Sequence, residues 1–90
     1  MFKHTKIGAT IGPSCESPTI IEQMVNAGMN FARLNMAHGT YPSHATFIKR
    51  IRAVEKKTGQ PIAILQDLQG PRIRVGVLPD SGVEVKQGDF

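Results

Sequence analysis

Polar side chains that could bind a charged ligand lie at the ends of two apolar stretches of the sequence. Arg33, Asn35 and His38 follow one stretch within a few residues, and Asp67 closes the next. The planar guanidinium of arginine donates paired hydrogen bonds to carboxylate or phosphate oxygens. A charge on an otherwise apolar strand is costly without a partner, so Arg33 belongs either at an open phosphate site or in an internal salt bridge, for example with Asp67. The residue types leave both alternatives open.

The neighbouring polar residues also have structural alternatives. Asn35 could bind a phosphate oxygen or hold the backbone of its own loop. A histidine in a strand-to-helix loop, such as His38, more often caps or packs than catalyses. Asp67 needs a cation, a backbone N–H or an arginine to remain ionised at low cost. His4 and His44 are predicted to occupy surface positions.

Three strands and two helices are predicted to position these groups. Ser17 followed by Pro18 is typical of a helix start, and Gly28 and Gly59 stand where helices are expected to end. Strands that alternate with helices over short loops predict a parallel sheet, whose strand ends meet at one edge. The predicted elements are a strand at 6–11, a helix at 18–27, a strand at 29–35, a helix at 41–57 and a strand at 62–67.

Three parallel strands with two helices do not complete a fold, because such strands need both faces covered. A closed eight-stranded barrel takes about 250 residues. We therefore expect residues 1–70 to be the N-terminal βαβαβ part of a larger TIM (β/α)8 barrel, with the inner face of its sheet left open. Residues 72–86 alternate apolar and polar around a turn at 79–82, which predicts a β-hairpin and the beginning of an inserted β domain at 71–90.

Composition and charge exclude several classes of protein. The chain is 40% hydrophobic and 20% charged, which is ordinary for a globular protein, and Cys15 is the only cysteine, which excludes a disulfide scaffold. The apolar runs are far shorter than the roughly 18 residues of a membrane span. The net charge of +4 is spread thinly and lacks interleaved aromatic residues. These features predict a cytoplasmic protein that binds neither membranes nor nucleic acid, and an anionic substrate would explain part of the basic surplus.

Three stretches of the sequence resemble the N-terminal portion of the pyruvate kinase family. They are KIGATIGPS at 6–14, AGMNFARLNMAHG at 27–39 and DLQGPRIR at 67–74, in the family's order and at its intervals. The resemblance implies a (β/α)8 barrel interrupted after its third strand by a small β-barrel domain. It also implies transfer of a phosphoryl group from phosphoenolpyruvate to ADP, giving pyruvate and ATP in the last step of glycolysis, by a homo-oligomer that is a tetramer.

The resemblance also implies roles for individual residues. Arg33 matches the arginine that holds the phosphate of phosphoenolpyruvate. Asn35, His38 and Arg74 match positions that contact the nucleotide, and Asn35 and Asp67 match ligands of a monovalent cation. The Mg2+ ligands and the acid–base lysine of the family fall outside these residues. The chain alone is therefore expected to contain no catalytic residue, to fold poorly and to be inactive.

The sequence departs from the family pattern at the monovalent-cation position. Ala37 stands where the family usually has a serine whose hydroxyl ligates the cation, and Arg72 stands where cation-dependent members have glutamate. Within the family, a lysine at the Arg72 position accompanies independence from potassium. We therefore predict that Arg72 supplies a permanent positive charge and that K+ is not required.

Three other functions remain open. A different barrel enzyme acting on phosphoenolpyruvate or an oxoacid, such as an aldolase of the citrate-lyase type, would continue from Asp67 into a third helix rather than a hairpin. A non-catalytic basic binding module would carry a basic stripe, which this sequence lacks. A catalytically silent pyruvate kinase homologue would differ only in residues that follow position 90.

Overall fold

The described part of the chain, residues 3–90, contains a three-stranded parallel sheet and two helices in a computed structural model. The sheet has the order β1-β2-β3, and both strand pairs are parallel. Each element lies within one residue of its predicted bounds. The predicted barrel part, 1–70, includes residues 1 and 2, which lie outside the described residues. The elements are β1 (Ile7–Thr10), α1 (Pro18–Ala27), β2 (Met29–Asn35), α2 (Tyr41–Thr58) and β3 (Ala63–Asp67).

Side-chain caps determine where the helices begin. The Ser17 hydroxyl accepts a hydrogen bond from the backbone N–H of Ile20 at 3.2 Å, which starts α1. Thr40 and Ser43 form a reciprocal capping box at the start of α2, with distances of 3.2 and 2.9 Å. The α2 helix ends at Gly59, whose φ of 70° is a conformation that favours glycine.

The two helices cover one face of the sheet and leave the other uncovered. Apolar residues of α1 and α2 pack with Ala32 and Leu34 of β2 and with apolar residues at the strand ends in a single core cluster made of Ile11, Ile21, Val25, Met29, Ala32, Leu34, Ile51, Val54 and Ile62. From Phe31 onwards, the β2 residues that alternate with Ala32 and Leu34 lie on the opposite face together with their register partners, and we call this the open face. Leu65 on that face is 45% exposed. A Cβ at Gly8 would lie 2.0 Å from the ring of Phe31, so glycine there lets the ring lie across β1.

The β-hairpin predicted at 72–86 is wrong for this chain. Residues 72–90 are described and contain no strand, although a turn does form where Gly82 N–H donates to the Pro79 carbonyl at 2.9 Å. Ile73 and Val77, which were expected to lie in the hairpin, are fully exposed. A two-stranded hairpin is marginal in water without a third strand or an apolar cover, and the described residues supply neither to this segment. An inserted β domain that begins at 71–90 stays a prediction.

Candidate functional site

The carboxyl ends of the three strands bring four polar side chains together on the open face. The strand register places Thr10 beside Arg33 and Asn35 beside Asp67. Neighbours in a parallel register point to the same face, as do residues two apart on a strand, so all four side chains share the face that the helices leave free.

The guanidinium of Arg33 is held between two strands. Its Nε donates to Asp67 Oδ2 at 2.8 Å, its Nη2 donates to the same oxygen, and its Nη1 donates to Thr10 Oγ1 at 3.1 Å. The salt bridge that the sequence left as one alternative is therefore present. Arginine has five N–H groups, so these three bonds leave two of them for a ligand. The Arg33 and Asp67 side chains are 35% and 43% exposed, so the pair stays accessible.

Arg33 lines an open cleft of about 90 Å3 at the ends of β2 and β3, which we call the arginine cleft. Its lining contains three arginines and one aspartate, so the cleft carries a surplus of positive charge and suits an anion. The volume is about three times a water molecule's share of liquid volume, which suits a small anionic group. The lining residues are Arg33, Asn35, Ala37, Asp67, Leu68, Gln69, Gly70, Arg72 and Arg74.

The Asn35 side chain uses one polar atom to hold its own loop and has the other available in the cleft. Its Oδ1 accepts the backbone N–H of Ala37 at 3.1 Å, so the loop-holding alternative is present in the structure. The amide nitrogen of Asn35 makes no hydrogen bond to another described residue, and it remains available to a ligand in the cleft.

His38 lies apart from the arginine cleft. It lines a neighbouring, more apolar cavity of about 560 Å3 between the end of β1 and the start of α2, and Asn35 borders both spaces. The structure therefore brings Arg33, Asn35, Asp67 and Arg74 together and places His38 on the adjoining cavity.

The prediction of a surface position for His44 is wrong. The residue is only 7% exposed, its Nε2 donates to the His38 carbonyl at 2.7 Å, and its ring meets Phe47 edge-on at 5.8 Å between centroids. Position 44 lies three residues before Phe47 and seven before Ile51, so it continues the apolar stripe of α2. This helical spacing indicates a buried position, but a histidine is usually expected at the surface, and the prediction followed the residue type.

The residues present do not fit the monovalent-cation site that the resemblance implies. Ala37 has no side-chain oxygen, so one of the implied ligands is missing, and the Arg33 guanidinium already places a positive charge 2.8 Å from Asp67 Oδ2, where it would repel a cation. Within residues 3–90, no group of three or more histidine, cysteine, aspartate or glutamate residues could hold a metal ion. Neither helix of the described chain is long and apolar enough to span a membrane.

The fold and the cleft define a parallel α/β protein with a cleft of net positive charge at the carboxyl ends of its strands. Residues 2–90 match the family model described as pyruvate kinase, barrel domain. The chain therefore belongs to the pyruvate kinase family, and the resemblance of its three sequence stretches is confirmed.

Individual relatives agree with this assignment. A pyruvate kinase from Agrobacterium vitis is 46% identical over 83 residues, which are 92% of this chain and 18% of the relative. Pyruvate kinase 2 from Synechocystis is 47% identical over 89 residues, which are 97% of this chain and 15% of the relative. A crystal structure of a pyruvate kinase from Cryptosporidium parvum matches with a TM-score of 0.76 and 38% identity, over 83% of this chain and 15% of that one. The chain thus spans less than a fifth of the length of these relatives.

Proposed function

We propose that this chain supplies the phosphate-binding part of a pyruvate kinase, which transfers a phosphoryl group from phosphoenolpyruvate to ADP. The observation that carries the proposal is the Arg33 guanidinium, which Asp67 and Thr10 hold at the arginine cleft with two N–H groups left over. Family membership favours this function over an aldolase or a basic binding module. A complete enzyme containing this chain should form pyruvate and ATP from phosphoenolpyruvate and ADP in a lactate dehydrogenase-coupled assay, and absence of that activity would contradict the proposal.

The proposed chemistry depends on positive charge and positioning. Both reactants are anions, and the transferred group carries its negative charge over several oxygens. In this proposal Arg33 binds the phosphate of phosphoenolpyruvate, and fixed N–H groups stabilise its charge without reorganising during the reaction. Asn35, His38 and Arg74 contact the nucleotide from the arginine cleft and its neighbouring cavity.

The remaining catalytic groups of the proposed enzyme lie outside this chain. Mg2+, held by residues elsewhere in the barrel, neutralises charge on the phosphate oxygens when bound. The acid–base lysine follows Phe90, so this chain binds and orients its substrates but contributes no proton-transfer group. The expected enzyme is a cytoplasmic homotetramer built on a (β/α)8 barrel with an inserted β domain.

The proposed enzyme does not require K+. Arg33 already provides a cationic partner for Asp67, Ala37 removes one cation ligand, and Arg72 adds a fixed charge to the cleft lining. We expect the complete enzyme to keep its rate when K+ and Na+ are replaced by tetramethylammonium. An Arg72→Glu variant, which restores the residue of cation-dependent members, should need K+ for activity. A wild-type rate that collapses without K+ would contradict this part of the proposal.

A further inference from the structure

We infer that His44 is a positioning residue that holds the loop at 36–40, between β2 and α2, in the conformation that binds the nucleotide. The inference rests on the proposed function, because the nucleotide role of His38 belongs to that proposal. His44 itself acts through the backbone of His38 and needs no contact with substrate.

The His44 ring is fixed on two sides. Its Nε2 lies 2.7 Å from the His38 carbonyl oxygen, and its edge packs against Phe47. A carbonyl oxygen only accepts hydrogen bonds, so Nε2 carries the proton in this contact. The ring therefore links the first turns of α2 directly to the loop that precedes the helix.

The second ring nitrogen of His44, Nδ1, indicates that a histidine at this position destabilises the folded state. Within the described chain, Nδ1 is buried and has no hydrogen-bond partner. A buried polar atom without a partner destabilises the fold, and a leucine on this apolar stripe would avoid that penalty. Packing alone therefore does not account for a histidine at position 44, whereas its bond to the loop does.

The His44 bond holds the middle of the loop. The loop is fastened at its start, where Met36 N–H donates to the Asp67 carbonyl at 3.0 Å, at His38, whose N–H donates to the Asn35 carbonyl at 3.2 Å, and at its end by the capping box of Thr40 and Ser43. Between these points, the only hydrogen bond given to the His38 carbonyl among the described residues comes from His44.

The loop backbone also passes close to the His44 ring. Gly39 has a φ of 75°, and a Cβ at that position would lie 3.1 Å from His44 Nε2 and 3.0 Å from Ser43 Oγ. Loss of the His44 bond should therefore release the peptide between His38 and Gly39. His38 and His44 line the same cavity, so this release would disturb the nucleotide side of the site. Arg33 lies within β2 and should keep its orientation.

The test compares His44→Leu with His44→Gln in the complete enzyme. Leucine fills similar space without a donor, whereas the glutamine amide nitrogen can reach about the position of Nε2. We expect His44→Leu to raise the KM for ADP about fivefold, as for the loss of one hydrogen bond, and to leave the KM for phosphoenolpyruvate within about twofold. His44→Gln should recover most of the affinity for ADP. If His44→Leu does not fold, His44→Asn, whose amide is too short to reach the carbonyl, replaces it in the comparison.

Val54→Ala is the matched control, because it removes buried packing from α2 but keeps the His44 bond and lies outside the cavity that His38 and His44 line. It should lower the Tm without changing the KM for ADP. The inference is overturned if His44→Leu raises both KM values equally, lowers only the Tm, or behaves like His44→Gln. Hydrogen exchange separates this inference from the proposed function, because the amides of residues 38–40 should exchange faster in His44→Leu even if the wild type lacks turnover. Unchanged exchange there would also overturn the inference.

Discussion

The two faces of the sheet use the same three strands for different purposes. On the helix-covered face, Leu34 is 1% exposed and packs in a core with Ile51, which is fully buried. On the open face, Arg33 and Asp67 keep 35% and 43% of their side-chain surface exposed, although Arg33 is next to Leu34 in sequence. Because successive side chains of a strand point to opposite faces, neighbouring residues such as Arg33 and Leu34 serve substrate binding and core packing respectively. Changes on one face should alter folding, and changes on the other should alter substrate binding.

The largest effect on folding is expected from Ile51→Ala on the covered side. Removing this fully buried side chain leaves a cavity and should cost about 2–5 kcal/mol of unfolding free energy. Leu65→Ala is the matched change on the open face, where the side chain is already 45% exposed, and should cost less than about 1.5 kcal/mol. Because the chain alone is expected to fold poorly, urea unfolding of the 90-residue chain in the presence of a stabilising osmolyte such as sucrose measures both. Equal losses would show that the open face also contributes to the core.

A smaller effect, on substrate binding, is expected from Thr10→Val. Valine has nearly the same shape but no acceptor for Arg33 Nη1, which the threonine hydroxyl binds at 3.1 Å. We expect kcat/KM for phosphoenolpyruvate to fall about 5- to 20-fold, because one bond that orients the guanidinium is lost. Thr10→Ser keeps the hydroxyl and should remain near the wild type. If valine and serine behave alike, Thr10 does not orient Arg33.

The smallest effect, on the free energy of unfolding, is expected from Glu55→Gln. Glu55 lies at the opposite end of β3 from the arginine cleft. A hydrogen bond from the Ile62 backbone N–H at 2.7 Å lowers the pKa of Glu55 from its ordinary value of 4.5, and the charge of Arg52 adds to the shift. The folded state thus favours the carboxylate, so this stabilisation is present above pH 4.5 and is lost as the pH falls through the lowered pKa.

Urea unfolding between pH 3 and pH 6 compares Glu55→Gln with the wild type. The variant should unfold at lower urea concentration than the wild type near pH 6, and the difference should shrink towards pH 3. Because the Glu55 side chain is still 30% exposed, solvent screens its charge and the effect should be small. A difference that stays constant with pH would show that the carboxylate charge makes no contribution.

The sequence predicted the elements and the strand ends that carry Arg33, Asn35 and Asp67, but not how these side chains are paired. Apolar periodicity and helix caps located all five elements to within one residue. Whether Arg33 binds Asp67 or stays unpaired depends on the strand register and on distances, which residue types do not fix. His44 was wrongly predicted at the surface, because the prediction followed its polar residue type and not its position on the apolar stripe of α2. The hairpin was misplaced because alternation indicates a strand only where a partner or a cover is available.

The central claim is that Arg33, oriented on the open face, binds the phosphate of phosphoenolpyruvate. The most direct test is kcat/KM for phosphoenolpyruvate in the complete enzyme with Arg33→Ala, alongside its Tm. Arg33→Lys serves as a control that keeps the charge but loses the planar fork. We predict that alanine lowers kcat/KM by at least about a hundredfold, with lysine intermediate and the Tm nearly unchanged, because a charged partner of the phosphate is removed from a partly sheltered site. An alanine variant with unchanged kcat/KM would contradict the assignment.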